Sequence, residues 1–165
     1  MENLQKLEHK LGVVFKDKNL LKQALIHRSW LNENPENGLE NNERLEFLGD
    51  AVLELVVTEY LYKKYKNPEG ELTNWRAALV NYINLSEVAG VLEFNDFLLL
   101  SKGEAKDMGR ARQVILANTM EAIIGAIYLD HGYETVAKFI NKNILCDLEK
   151  IIKSKSYKDS KSLFQ

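Results

Sequence analysis

The sequence contains one cysteine, two prolines and no long apolar run, and these scarcities exclude several classes of protein. Cys146 has no second cysteine with which to form an internal disulfide, so the chain fits a reducing compartment and we expect a cytoplasmic protein. No apolar stretch is long enough to cross a bilayer, and the start at Met1 lacks the pattern of a signal peptide. We therefore expect no membrane partner.

The chain also lacks a strong excess of charge of either sign. Its 22 Lys and Arg residues stand against 24 Asp and Glu, a formal net charge of −2, which is unlike the basic balance of a simple nucleic-acid-binding protein. Any phosphate-bearing partner must therefore meet a local basic patch or a bound metal ion. At 165 residues the chain is long enough for one domain with a substantial core. We expect residues 1–152 to form that domain and the Lys- and Ser-rich residues 153–165 to form a linker.

What the sequence does contain is helical periodicity without the alternation typical of strands, so we predict an all-α fold. The two longest helical patterns run from about Asn42 to Lys66 and from about Gln113 to Asp130. Ser101–Arg112, which contains two glycines and several basic residues, is predicted to be a loop. Five shorter helices are also predicted. The first covers residues 3–11, the second is capped by Asp17 or Asn19 and ends at Trp30, and the third is capped by Thr73. The fourth runs from Asn84 or Ser86 to Glu93, and the fifth from Glu134 to Ile152.

Three carboxylates share one face of the first long helix. Glu43, Glu46 and Asp50 are spaced i, i+3 and i+7, so their side chains project from the same side. Like charges stacked in this way repel one another by a few tenths of a kcal/mol per exposed pair. Because apolar residues lie beside them, the arrangement requires either a nearby cation or solvent.

The second long helix carries a matching pair of oxygen ligands. Asn118 and Glu121 are spaced i and i+3 on one face, and Gly125 lies one turn further on. Gly49 stands in the first helix, and a glycine inside a helix costs roughly 1 kcal/mol relative to alanine. The simplest reason for both glycines is a close approach of the two helices. Such a crossing would bring together four ligand side chains: Glu46, Asp50, Asn118 and Glu121.

Three carboxylates and one amide oxygen form a set of hard ligands, which suits Mg²⁺, with Mn²⁺ as a substitute, better than zinc or iron. The sequence has no Glu-x-x-His pair, which argues against a di-iron bundle. A divalent ion with open water positions near basic residues suggests phosphodiester hydrolysis. The alternative is that these acids are solvated helix faces, favoured near a helix N-terminus by the macrodipole.

Residues 42–53 resemble the signature of the ribonuclease III family. This stretch, Asn-Glu-Arg-Leu-Glu-Phe-Leu-Gly-Asp-Ala-Val-Leu, is specific to that family, and the resemblance extends from about Leu7 to Phe139. Further stretches resemble the family in the same order along the chain: 25–29, 69–72, 76–80, 103–104 and 121–130.

The resemblance implies an Mg²⁺-dependent homodimer that cuts double-stranded RNA in RNA processing, including that of ribosomal RNA. It would leave 5′-phosphate and 3′-hydroxyl ends with a short 3′ overhang. Asp50 and Glu121 match the residues usually called catalytic, and with Glu46 and Asn118 they match the metal set. Two further acids, Glu43 and Glu69, match residues that line the substrate valley of the dimer.

At the dimer interface, Phe47 matches an aromatic residue that inserts into the partner subunit, and we expect Leu48 and Glu46 to lie beside it. Basic side chains are the candidate RNA contacts, although Arg76 could instead pair with a core acid and the others could be ordinary solvated residues. His27 could be catalytic, but because it stands at the edge of an apolar helix we interpret it as a structural hydrogen-bonding residue. The candidate RNA contacts are Arg76, Lys102, Lys106, Arg110 and Arg112.

Two features depart from the family pattern. The family usually has Asp where this chain has Asn118, which removes one negative charge and should lower the affinity for Mg²⁺. We expect retained activity, and the alternative is a weak or silent dimeric RNA-binding module. In addition, residues 158–165 resemble the entry to a double-stranded-RNA-binding domain, and the sequence then stops. We expect a truncated protein that binds RNA weakly.

Overall fold

The computed structural model describes residues 2–154, and this part of the chain is all-α, as predicted. No β-strand forms within it; the nearest approach is a single bridge between Ile26 and Leu99. Most of the predicted linker, residues 155–165, lies outside the described residues. The helices are α1 (Glu2–Leu11), α2 (Lys18–Ala24), α3 (Arg28–Glu33), α4 (Glu43–Lys64), α5 (Glu69–Val80), α6 (Tyr82–Val91), α7 (Lys102–Lys106), α8 (Arg110–His131) and α9 (Tyr133–Asn143).

Helix α8 forms the centre of the domain. Twelve of its 22 residues are buried, on all sides of the helix, which is the pattern of a helix enclosed by other elements. Helix α4, also 22 residues long, packs along it, and α2, α6 and α9 cover its other sides. The fully buried side chains include Leu53 of α4 and Met120, Ile123 and Ile127 of α8. The two longest predicted helices are therefore the central pair of the fold.

Helices α4 and α8 touch backbone to backbone where both carry glycine. A Cβ atom added to Gly49 would lie 1.7 Å from the carbonyl oxygen of Glu121, and one added to Gly125 would lie 2.4 Å from that of Leu45. No side chain fits at either position, so the predicted close approach is confirmed. This crossing fixes the acidic faces of the two helices against each other.

The prediction of a single helix that ends at Trp30 is wrong, because this segment forms two helices, α2 and α3. Asp17 caps α2 as predicted, accepting a hydrogen bond from the Asn19 N–H at 2.9 Å, but α2 ends at Ala24. The backbone between α2 and α3 pairs instead with distant residues: Leu99 N–H donates to the Leu25 carbonyl, and Asn42 N–H donates to the Ile26 carbonyl. These long-range bonds outweigh the local helical pattern.

Four other predicted boundaries also differ. Helix α6 begins at Tyr82, capped by Asn81, rather than at Asn84 or Ser86, and ends at Val91 rather than at Glu93. Helix α5 begins at Glu69, directly after Pro68, because proline is suited to a helix start; Thr73 lies inside the helix and donates to Glu69 Oε1. The predicted loop 101–112 contains α7, capped by Ser101, and the first turn of α8. The last predicted helix is interrupted near Ile144, after which residues 148–154 are helical again.

None of the helices in residues 2–154 is both long and apolar enough to cross a membrane.

Candidate active site

The crossing of α4 and α8 brings the predicted ligand side chains to one cavity of about 610 Å³. Glu46 and Asp50 line it from α4, while Asn118 and Glu121 line it from α8. Glu43 stands on the same wall, one turn before Glu46. The helical spacing alone had placed each pair on one face, and the glycine contact places the two faces opposite each other.

Among residues 2–154, no basic side chain forms an ion pair with Glu46, Asp50 or Glu121, whereas Glu43 pairs with Arg28. Burial raises the pKa of Glu121 to about 8, and the negative charges of Asp50, Glu46 and Glu54 add to the shift. Burial also raises the pKa of Glu46, with further contributions from Glu43 and Asp50. Each group is thus harder to ionise, first because it is buried and second because its neighbours are acidic, and a bound cation would relieve the repulsion between them.

The donor set fits a divalent cation in its chemistry. Three carboxylates and the amide oxygen of Asn118 are oxygen ligands of the kind that Mg²⁺ and Mn²⁺ prefer. Within residues 2–154, no three His, Cys, Asp or Glu side chains form a group able to enclose an ion. Glu46, Asp50 and Glu121 therefore share a cavity without forming such a group, and Asn118 lines the same cavity.

Among the residues that the sequence analysis did not assign to the site, two charged ones, Arg28 and Glu54, line the cavity or act on it. Arg28 stands at its wall and pairs with Glu43 at 3.8 Å. Glu54 raises the pKa of Glu121 and is held by Arg76, whose Nε lies 3.0 Å from Glu54 Oε2. Glu54 could have been found from the sequence, because it follows Asp50 by four residues on the same helix. Arg28 could not, since its position depends on the break before α3.

Arg76 and Glu69 lie beside a different cavity. This second space, of about 510 Å³, is lined by residues of α4 and α5 that include Thr58 and Tyr62. Arg76 donates to Thr58 Oγ1 at 2.9 Å in addition to pairing with Glu54. Of the two interpretations left open for Arg76, pairing with an acid is the one seen here. Glu69 does not line the cavity of the other acids in the single chain.

The basic residues of α7 and of the first turn of α8 divide into two groups. Lys102, Lys106 and Arg110 are exposed, and Arg110 lies over the ring of Tyr82. Arg112 is only 5% exposed, which leaves little of its side chain accessible to RNA. Its guanidinium group donates at 2.9 Å to the Asn95 side chain and at 2.8 Å to the Glu104 carbonyl oxygen, and thereby ties α7 to the core.

Phe47 is the most exposed residue among the large apolar side chains of α4. It is 83% exposed, although it stands between Glu46 and the partly buried Leu48. Phe47 borders the acidic cavity on one side and, on the other, a cavity of about 610 Å³ lined in part by Leu20 and Leu129. An exposed aromatic side chain next to an apolar cavity is typical of a protein interface.

Comparison with known proteins gives consistent results. The model of the ribonuclease-III-like family matches residues 17–148. Ribonuclease 3 of Oceanobacillus iheyensis is 50% identical over 143 residues, which are 86% of this chain and 63% of that protein. Ribonuclease 3 of Fusobacterium nucleatum is 44% identical over 166 residues, which are 100% of this chain and 71% of that protein. The chain thus spans less than two thirds of the length of the first of these relatives and slightly more than two thirds of the length of the second.

Solved structures agree on the fold. A crystal structure of the nuclease domain of ribonuclease III from Campylobacter jejuni is 47% identical, with a TM-score of 0.77, and the match covers 87% of this chain and 95% of that one. A second structure of that domain, described for flexibility in the region involved in dimer formation, has a TM-score of 0.75 at 47% identity and covers 85% and 97% of the two chains. With the family model covering most of its length, this chain belongs to the ribonuclease-III-like family.

Proposed function

We propose that this chain is an endoribonuclease that hydrolyses double-stranded RNA as a homodimer with Mg²⁺, in RNA processing. The observation that carries the proposal is the glycine-mediated crossing of α4 and α8, which brings Glu46, Asp50, Asn118 and Glu121 to one cavity. Membership of the family adds support, since its curated relatives are named Ribonuclease 3. A cytoplasmic location belongs to the same proposal and is favoured by the single cysteine.

In the proposed mechanism, Glu46, Asp50, Asn118 and Glu121 would hold the divalent ion. A bound Mg²⁺ supplies a water of lowered pKa and shields the charge that develops on the phosphate. Glu121, whose pKa is about 8 without the ion, holds a proton at neutral pH and must release it to become a ligand. Asp50 and Glu121 are the proposed catalytic residues, and Glu43 and Glu69 are proposed to line the substrate valley.

The exposed basic residues at the start of α8 are proposed to hold the RNA backbone. Arg110, Val114 and Asn118 are spaced i, i+4 and i+8, so they form one stripe that leads from solvent into the cavity. Eight residues of helix place Arg110 about 12 Å along the axis from Asn118. Lys102 and Lys106 are exposed on the preceding α7. Together these positive charges would attract the phosphate backbone of the RNA and counteract its repulsion by the carboxylates of the site.

Phe47 is proposed to insert into the partner subunit, and replacing it with alanine should weaken the dimer. Truncating a central aromatic anchor at an interface costs at least about 2 kcal/mol, so the dimer dissociation constant should rise by roughly thirtyfold or more. Sedimentation velocity at low micromolar concentration measures the change. Val91→Ala is a matched control, because Val91 is equally exposed, at 83%, but lies on α6. An unchanged sedimentation profile for Phe47→Ala would contradict the assignment.

The principal test of function is cleavage of a long RNA duplex with Mg²⁺ or Mn²⁺ and with a chelator. We expect metal-dependent cleavage to fragments with 5′-phosphate ends. The Asn118→Asp variant should lower the metal concentration needed for half-maximal cleavage by roughly tenfold, because it returns one negative charge to the ligand set. The reverse order of the two proteins in metal requirement would show that position 118 does not contribute a ligand.

The second candidate function, a silent dimeric RNA-binding module, rests on Asn118 alone. Under that alternative, the natural chain would cut the duplex with neither metal, whereas Asn118→Asp would cut it. Calorimetric titration with Mn²⁺ supplies an independent measurement. A binding isotherm that Glu121→Ala abolishes would count against the silent module even if cleavage proved slow.

A further inference from the structure

His27 is a residue of the cavity for which the proposed mechanism has no role. It lies between α2 and α3, is half-buried, and lines the cavity together with Asp50 and Glu121. Its Nδ1 atom caps α3 by accepting a hydrogen bond from the Ser29 backbone N–H at 3.3 Å. The sequence-based interpretation of His27 as a structural residue is therefore confirmed for Nδ1, but it leaves the other ring nitrogen unexplained.

The hydrogen bonds around Nδ1 determine which nitrogen of the neutral ring carries the proton. A backbone N–H can only donate, so Nδ1 must be an unprotonated acceptor. The Ser29 hydroxyl group, 2.7 Å from Nδ1, accepts from the Ser101 N–H at 3.1 Å and donates its own hydrogen to Nδ1. The ring proton of neutral His27 is consequently on Nε2.

The Nε2–H group is the free end of this chain of hydrogen bonds. Among residues 2–154, no side chain or carbonyl accepts from it. Burial lowers the pKa of His27 against the opposing effect of Glu104, so the ring is neutral at pH 7 and keeps the tautomer that Nδ1 dictates. The result is a fixed, uncharged donor on a residue that lines the cavity together with four carboxylates and one cation, Arg28.

We propose that His27 Nε2–H donates a hydrogen bond to a phosphate oxygen of the RNA strand in the acidic cavity, which makes His27 a substrate-positioning residue. The inference rests on the proposed function, because an RNA substrate would bring a phosphate oxygen, which is a hydrogen-bond acceptor, into the acidic cavity. A neutral donor suits the site because it holds the phosphate without competing with a divalent cation for the carboxylates, as a cationic side chain would.

Two substitutions separate the donor from the helix cap. His27→Asn retains an acceptor near the position of Nδ1, and asparagine is a favoured N-cap residue, but the variant has no group at the position of Nε2. His27→Gln places an amide N–H near the position of Nε2 and loses the cap. The measurements are kcat/KM for cleavage of an RNA duplex with Mn²⁺ and the thermal midpoint of each variant.

We expect His27→Asn to keep the thermal midpoint of the unmodified protein and to lose roughly ten- to a hundredfold in kcat/KM, the usual worth of a hydrogen bond to a charged group. His27→Gln should melt at a lower temperature and yet cleave within roughly fivefold of the unmodified protein. A purely structural role predicts the opposite order, with activity following stability. Either that order or an unchanged kcat/KM for His27→Asn would overturn the inference.

Failure of the proposed function has a different signature. If the unmodified protein does not cleave the duplex, binding of the same RNA in Ca²⁺ replaces cleavage as the measurement for the two variants. Weaker binding by His27→Asn than by His27→Gln would support the contact even in a silent protein. If the unmodified protein neither binds nor cleaves the duplex, the inference fails with the function.

Discussion

Replacing Gly49 with alanine should destabilise the domain by about 3 kcal/mol or more. The added Cβ would lie 1.7 Å from the carbonyl oxygen of Glu121, and this neighbour is backbone of the central helix, so it cannot rotate away as a side chain could. The two helices must separate, and the apolar contacts along α4 and α8 weaken together. Since a domain of this size has about 5–15 kcal/mol of stability, the variant loses a large share of it.

Gly90→Ala is the matched control for this prediction. Gly90 also lies within a helix, α6, but a Cβ at that position meets no atom within 4 Å. Alanine there should be neutral or stabilise the domain by up to about 1 kcal/mol through its higher helix propensity. Urea unfolding of both variants in a chelator measures the difference. Equal midpoints for the two variants would contradict the backbone contact between α4 and α8.

The same substitution should also abolish cleavage in the protein that remains folded. Gly49 precedes Asp50 directly, and its contact is the carbonyl of Glu121, so separation of the helices moves both proposed catalytic residues apart. A displacement of about 1 Å at a reacting centre can cost a hundredfold in rate. Activity measured well below the unfolding midpoint isolates this effect from the loss of stability.

Glu121→Gln should inactivate the protein and at the same time stabilise it without metal. Loss of a proposed ligand should lower cleavage by more than a hundredfold, beyond what removal of an outer-shell partner costs. In the ion-free protein, however, ionised Glu121 is a buried charge that is also repelled by Asp50 and Glu46, and a neutral amide of the same shape avoids both costs. The two effects have one cause, because the charge that would hold the cation is the charge that destabilises the empty cavity.

The effect on stability depends on pH in a defined direction. The pKa of Glu121 is about 8 in the folded protein against an ordinary value of 4.5, so between these values the folded state binds more protons than the unfolded state. Stability is therefore full below about pH 4.5 and falls as the pH rises toward 8. Glu121→Gln removes this contribution, so at pH 8 the variant should be more stable by about 2 kcal/mol, after allowance for partial solvent screening.

Urea unfolding in a chelator at pH 5 and pH 8 tests this prediction. The unmodified protein should lose more stability between the two values than Glu121→Gln, which retains only the smaller contribution of Glu46. Glu87→Gln is the control, because it changes the net charge equally at an exposed position of α6. An equal change in stability from pH 5 to pH 8 in the unmodified protein and in Glu121→Gln would show that Glu121 is already ionised at pH 5.

Much of the site could be predicted because it depends on regular helices. A period of 3.6 residues places Glu46 and Asp50 on one face wherever the helix lies, and the same holds for Asn118 and Glu121. The glycines predicted that two helices meet, since a buried backbone contact is a common reason to keep Gly inside a helix. The burial of Arg112 could not be predicted, because charge suggests exposure, whereas its Nη1 and Nη2 groups donate to Asn95 and Glu104 inside the fold and its buried Nε has no partner among residues 2–154.

The sequence by itself determined the helical class, the two acidic faces and the place where they could approach each other. Only the tertiary structure decided the break before α3, the raised pKa of Glu121 and the proton on His27 Nε2. The physical reason is the range of the interactions. Helical periodicity acts between residues three or four apart, whereas burial and hydrogen bonding join residues such as Ser29 and Ser101, which lie 72 positions apart in the chain.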